Sequence, residues 1–302
     1  MTLFKGLSAF PITPARPDGE IIIPDLQRLV ARATAAKVDS IGLLGSTGSY
    51  VYLSREQRRQ AVASAVEAAG LTPVMAGIGA LRTDEAQKLA EDAERSGAAG
   101  LLLAPVSYFP LTEPEVFEHF RAVSSVTELP VCIYSNPSTT QFTFTPEFVG
   151  RLAELATVAA IKLPLPTSGH VADDLSAFRS AAPGISIGYS GDWGCAAALT
   201  AGADCWYSVL AGLLPDVAVD LAVAASSGDQ QRTDAINGRL EDLWVLFRTY
   251  GSLRVNYAAL NILGLTDAQP PRPLLGMPKE VRSRIESVIG GLTDSWPSAC
   301  SR

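Results

Sequence analysis

Eight short apolar runs, each followed by a longer stretch of helical period, constrain this chain more than any other feature. The strand candidates are 4–10, 40–44, 73–78, 100–104, 130–134, 158–163, 185–189 and 204–210. Between them the spacing predicts helices over 24–37, 55–69, 84–96, 113–126, 146–155, 170–181 and 193–201. Some of these carry start signals. Pro24 suits a first helical position, where its missing N–H costs nothing. Ser54, with Gln57 three residues on, makes a capping-box pair. The strand runs are continuously apolar, as parallel strands covered on both faces should be. Eight such units close into an α/β fold of the (β/α)8 TIM barrel type. The open doubly wound sheet is the alternative. It calls for a Gly-x-Gly-x-x-Gly turn after the first strand, and the chain there reads Pro-Ile-Thr-Pro-Ala-Arg-Pro-Asp-Gly.

Past Leu213 no strand candidate remains. The stretch 215–227 reads as the last barrel helix. Helices over 229–250, 253–263 and 278–289 form an appended set, and a loose tail is expected from Leu292 on. The expected division is a catalytic barrel over 1–227 and a C-terminal helical extension over 228–302 packed on it.

Composition bounds the function classes. With 302 residues, 47% hydrophobic and 18% charged, the chain can bury a large core. A net charge of −7 without a basic cluster argues against a nucleic-acid surface. No apolar run approaches the roughly 18 residues of a membrane span, and the N-terminus lacks signal-peptide architecture. The expected compartment is the cytoplasm. Cys132, Cys195, Cys205 and Cys300 show no Cys-x-x-Cys spacing and read as reduced cysteines, most of them acting as small hydrophobes. His119 and His170 lack metal-ligand spacing, so no metal site is expected. His119 lies on an amphipathic helix and is read as structural.

Chemistry in such a barrel is built at the C-terminal ends of the strands. Lys162 falls there, inside Thr-Val-Ala-Ala-Ile-Lys-Leu-Pro-Leu-Pro at 157–166. A strand that ends so soon after a lysine buries the amine in a low-dielectric interior. Desolvation disfavours an ammonium in such a place. A neutral amine is a nucleophile, and its natural target is a carbonyl, giving a Schiff base. The alternative is a lysine that tops an exposed strand and snorkels to water. The other lysines, Lys5, Lys37, Lys88 and Lys279, fall on helices, in loops or at the wrong end of a strand.

Three further strand ends are unusual. Gly45-Ser46-Thr47-Gly48 brackets two hydroxyls between glycines, a turn that can present N–H and O–H groups to a carboxylate or phosphate. It can equally be a helix-entry turn. Tyr134 ends the fifth strand, where an inward phenol can relay protons; a packed aromatic is the other reading. Ser190-Gly191-Asp192 follows the seventh strand and can hydrogen-bond a polar substrate or cap the next helix.

Taken together, Pro11-Ile12-Thr13-Pro14, Gly45-Ser46-Thr47-Gly48, Tyr134-Ser135-Asn136-Pro137 and Ile161-Lys162 resemble the dihydrodipicolinate synthase / N-acetylneuraminate lyase superfamily over roughly residues 4–290. The resemblance implies a homo-oligomeric barrel, dimer or tetramer, of the class I aldolase kind. It implies a Schiff base between Lys162 and the keto carbon of pyruvate or another 2-keto acid, with no other cofactor. Tyr134 matches the family's proton-shuttling tyrosine. Ser46 and Thr47, flanked by Gly48, match the pair that holds the keto-acid carboxylate, with Thr47 linked to Tyr134.

The chain also departs from the pattern. Ser49 replaces the usual glutamate after the glycine, and Leu163-Pro164 replaces the usual Glu-Ala. Ser107 stands where the synthases carry a tyrosine that reaches the neighbouring subunit's site, with Tyr108 one place off. Thr139 stands where they carry an arginine for the aldehyde substrate's carboxylate. Relatives that act on sugar acids hold the substrate tail with residues near Asp192, Tyr207 and Ser208. The expectation is therefore a Schiff-base lyase on a small 2-keto acid that is not a true dihydrodipicolinate synthase. A 2-keto-3-deoxy sugar acid dehydratase is the alternative within the class. A catalytically silent keto-acid-binding barrel is the alternative outside it.

Overall fold

The computed structural model describes residues 3–296. Eight parallel strands close into a barrel in sequence order. They are β1 (Gly6–Ala9), β2 (Ser40–Leu43), β3 (Val74–Gly77), β4 (Gly100–Leu103), β5 (Val131–Tyr134), β6 (Val158–Pro164), β7 (Ser186–Ser190) and β8 (Cys205–Ser208). Closure comes from β1 against β8, which pairs Gly6 with Cys205 and Ala9 with Ser208.

Side-chain alternation divides each strand between two cores. Met75, Leu102, Cys132, Tyr134, Ala160, Cys205 and Tyr207 point inward and pack with Phe10. Leu7, Ile41, Val74, Leu101, Ile133, Ile161, Ile187 and Trp206 point outward and share a core with the helices. The barrel interior pairs large residues with absent ones. A Cβ at Gly42 would overlap the Phe10 ring, and one at Gly188 would lie 2.6 Å from the Tyr207 ring. Phe10 and Tyr207 meet edge to face at 5.8 Å between centroids. These two rings fill the space beneath the strand ends that carry the site.

The helices form where the apolar period places them. In Ile23–Ala35 the buried residues are Leu26, Leu29, Val30 and Ala33, one face at i, i+3, i+4 and i+7. The capping box before Arg55–Ala69 is complete, with the Ser54 hydroxyl and the Gln57 side chain satisfying each other's backbone N–H. His119 is buried, with Nδ1 3.0 Å from Thr83 Oγ1, and burial pulls its imidazole down to about 4.

Two helical expectations change. The single helix expected over 229–250 is two, Gln230–Arg239 and Glu241–Tyr250, joined at Leu240. Asn237 and Gly238 are weak helix formers, Leu240 is fully buried, and the Asn237 side-chain Oδ1 accepts from Trp244 Nε1–H across the joint. The loose tail expected from Leu292 is instead the last turn of a helix over Lys279–Ser295. Ile285, Ile289 and Leu292 form one buried face there. Cys300 and the rest of the expected tail lie outside the described residues. The short helices Pro137–Thr140 and Leu210–Leu213 were not expected. Among the described residues no helix is long and apolar enough to cross a membrane, and no group of three His, Cys, Asp or Glu side chains could hold a metal ion.

The Gly42–Phe10 contact leaves no room for a methyl group. Gly42→Ala should cost about 1–3 kcal/mol through overpacking, read as a lower urea midpoint. Adding Phe10→Leu should recover part of that loss, because it vacates the space the methyl needs.

Candidate active site

The register of β5 against β6 pairs Tyr134 with Lys162. Both side chains point into the mouth by the same alternation that buries Cys132 and Ala160 one layer below. Lys162 is 5% exposed. Its Nζ lies 4.3 Å from the centroid of the Tyr134 ring, 5.5 Å from that of Phe10 and 6.0 Å from that of Tyr207. Three rings thus line the amine on the barrel side of the mouth.

The loop after β2 brings hydroxyls to this pair. Leu44 and Ser49 take left-handed conformations, with φ of 58° and 55°. They fold the chain back so tightly that a Cβ at Gly48 would lie 2.9 Å from the backbone of Leu44. Close approach therefore accounts for the glycine at position 48. The turn sends the Ser46 side chain toward β5, where Oγ lies 2.9 Å from Tyr134 OH. The link expected from Thr47 is thus made by Ser46. Successive side chains of a tight turn diverge, and Thr47 is buried beside it.

Asn136, which sequence reasoning passed over as a site residue, completes the group. Its Nδ2 donates to Ser46 Oγ and to Tyr134 OH, each at 3.2 Å. A signal for it existed. Residues two apart at a strand end share a face, and Asn136 is two after Tyr134. Arg58 was also missed. It is buried under the mouth, donates to Gly77 O at 2.8 Å and Gly79 O at 3.1 Å, and stacks over the Tyr50 ring. Burial pulls its guanidinium down to about 10.

Several expected substrate contacts have other duties. Asp192 is 2% exposed. One of its oxygens accepts from Ser208 Oγ at 2.7 Å and Leu210 N–H at 2.9 Å, and the other from Val209 N–H at 3.3 Å. It ties the end of β8 to the helix Leu210–Leu213. Ser208 Oγ in turn accepts from Ala211 N–H. Burial pushes the Asp192 carboxyl up, against the pull of those donors. Every side-chain oxygen of the two residues is thus engaged within the frame.

Tyr207 faces inward, but below Lys162. Its hydroxyl is 3.5 Å from Cys132 Sγ, and burial pushes that thiol up to about 12. The Thr139 hydroxyl donates to Asn136 O. Tyr108 stands 81% exposed on the loop after β4, edge to face with Phe109, and reaches no group of this site. Lys162, Tyr134 and Ser46 are brought together, with the Tyr207 ring beneath the amine and its hydroxyl turned to Cys132, while Asp192, Ser208, Thr139 and Tyr108 do not join them.

The chain resembles proteins of known kind along almost its whole length. Residues 3–291 match the model of the dihydrodipicolinate synthetase family. A 4-hydroxy-tetrahydrodipicolinate synthase of Methylococcus capsulatus is 32% identical over 290 residues, covering 95% of this chain and 98% of that one. The crystal structure of a dihydrodipicolinate synthase from Agrobacterium tumefaciens superposes with a TM-score of 0.92 at 52% identity, covering 96% of this chain and 98% of the other. A dihydrodipicolinate synthase variant described as the first monomeric one superposes at 0.89 with 25% identity, over 96% and 97% of the two chains.

Asp192 leads to a stability test. Asp192→Ala strands the Val209 and Leu210 N–H groups and should destabilise the fold by about 1–3 kcal/mol. Chemical denaturation reads this. A substrate-binding role would instead appear in KM with the denaturation midpoint unchanged.

Proposed function

The chain belongs to the dihydrodipicolinate synthetase family, a family of lyases, and on that premise we propose that it is a Schiff-base lyase acting on pyruvate or a related 2-keto acid. The observation that carries this reading is the placement of Lys162 Nζ 4.3 Å from the Tyr134 ring, on adjacent strands and in register. Lys162 Nζ adds to the keto carbon, and loss of water leaves an iminium. When the C3–C4 bond of an aldol breaks, its electrons flow to the iminium nitrogen and give an enamine. Tyr134 takes the C4 hydroxyl proton and later returns a proton to C3. Water then hydrolyses the product iminium and frees Lys162. Dehydration uses the same electron sink, with loss of a C3 proton and of a hydroxyl from C4. The Ser46–Thr47 turn is proposed to hold the keto-acid carboxylate through N–H and O–H donors.

The second substrate is proposed to differ from that of the 4-hydroxy-tetrahydrodipicolinate synthases. The arginine that the resemblance places at position 139 is a threonine, and its hydroxyl donates to Asn136 O. The loops after β4, β5, β6 and β7 carry no lysine or arginine. An uncharged tail suits such a wall better than a carboxylate, which would be desolvated there without a partner. A cytoplasmic location accords with this small-molecule chemistry.

Borohydride reduction in the presence of pyruvate, read by mass spectrometry, should leave a stable adduct on Lys162, and Lys162→Ala should leave none. Absence of an adduct with pyruvate and with every other 2-keto acid tried would sink the lyase reading.

We also propose a homo-oligomer, dimer or tetramer, in which a second copy covers the exposed apolar residues after β2, β3 and β4. Val51 is 57% exposed, Leu81 70%, Tyr108 81% and Phe109 73%. A patch of that kind on one rim is a common sign of association. Light scattering after size exclusion should give a dimer or larger for the wild type, and a monomer for Tyr108→Asp/Phe109→Asp. A wild-type monomer would exclude the assembly.

A further inference from the structure

We infer that Asn136 is a positioning residue for proton transfer, holding the Tyr134 and Ser46 hydroxyls in a closed triangle within one chain. The inference rests on the lyase reading and assigns a role that the resemblance did not. Asn136 Nδ2 lies 3.2 Å from both Tyr134 OH and Ser46 Oγ, which are 2.9 Å from each other. An amide nitrogen carries two hydrogens, one for each oxygen. Tyr134 and Ser46 have two hydroxyl hydrogens between them, and one closes the third side of the triangle. A single hydrogen is left over, free to point toward a bound substrate.

The amide is itself held on both sides. Ser138 Oγ donates to its Oδ1 at 2.8 Å, which turns Nδ2 toward the tyrosine. The Asn136 carbonyl accepts from the N–H groups of Thr139 and Thr140 at 3.0 Å each, and from their hydroxyls at 3.2 and 3.0 Å. The Pro137–Thr140 helix, including the threonine expected to meet substrate, anchors the asparagine.

The chemical consequence follows from charge. When the Tyr134 hydroxyl gives its proton to C3 of the enamine, its oxygen becomes anionic. The Asn136 N–H and the Ser46 O–H then both point at that oxygen. Preorganised donors of this kind act most strongly where charge develops. In the reverse direction the same oxygen takes a proton from C3 of the iminium. The C–H electron pair becomes the C2–C3 double bond, and the C=N electrons return to nitrogen. Asn136 neither gains nor loses a proton in either step. It sets where the tyrosine oxygen sits and how readily that oxygen bears charge. Schiff-base formation at Lys162 does not need it.

The test separates the two steps on pyruvate. Borohydride trapping reads Schiff-base formation, and deuterium uptake at C3 in heavy water reads proton transfer. Asn136→Ala removes the amide, and the isosteric Asn136→Asp keeps its shape while removing both donor hydrogens. Both variants should trap pyruvate within about twofold of wild type, while deuterium uptake falls about 10- to 100-fold, as expected when a reacting group loses its fixed position. Unchanged uptake in Asn136→Asp overturns the inference. A parallel loss of trapping and uptake also overturns it, because it marks a merely structural role. If the wild type itself does not trap any 2-keto acid, the lyase reading has failed and this inference falls with it.

Discussion

The site depends on one piece of register, the pairing of Tyr134 with Lys162 across β5 and β6. A slip of one residue would turn the lysine into the outer core among Ile161 and Leu163. Closure prevents that slip, since every strand is bonded on both edges and β1 is locked to β8 at four positions. A buried amine acts at one place only if its surroundings fix it there. Here three aromatic rings line it. Two of those rings need glycine opposite them, and so Gly42 and Gly188 belong to the support of Lys162.

Above that layer, polar groups divide into those that hold the frame and those left to act. Asp192 and Ser208 are consumed in joining β8 to its following helix. Two Arg58 nitrogens brace the carbonyls of Gly77 and Gly79 at the end of β3. Thr139 and Thr140 anchor one carbonyl. What remains at the centre is a small set on three strand ends: the amine of Lys162, the phenol of Tyr134, the hydroxyl of Ser46 and the amide of Asn136. This economy gives the site its character. The Lys162 amine, proposed above as the electron sink, sits beside a short hydrogen-bonded group, and the loops after β4, β5, β6 and β7 carry no lysine or arginine.

Much of this was legible along the chain. The eight strands lie where continuous apolar runs predicted them, and the helix Arg55–Ala69 starts at its capping box, because burial and capping act over a few residues. Lys162 could be singled out among the lysines because only its neighbourhood has strand character near a C-terminal end. The less legible features depend on partners far away in sequence. Asp192 reads equally well as a ligand or a cap until the position of Leu210 is known. Ser46 and Thr47 are equivalent in the sequence, and only the left-handed turns at Leu44 and Ser49 decide which hydroxyl meets Tyr134. The helix break at Leu240 combines weak local helix formers with burial of Leu240, and the ordered turn at Leu292 follows from its burial.

The amino-acid sequence by itself determined that the chain alternates strand and helix eight times, that its strands are covered on both faces, and that one lysine sits at a strand's C-terminal end. Those properties are local in periodicity and hydrophobicity. The tertiary structure alone decided which side chains share the mouth. Barrel closure brings residues 46, 134, 136 and 162 within bonding or contact distance, and the same closure spends the polar atoms of residues 192 and 208 on the frame. A hydrogen bond requires both partners in place, and a residue's own neighbours in sequence do not reveal whether its partner has already been claimed.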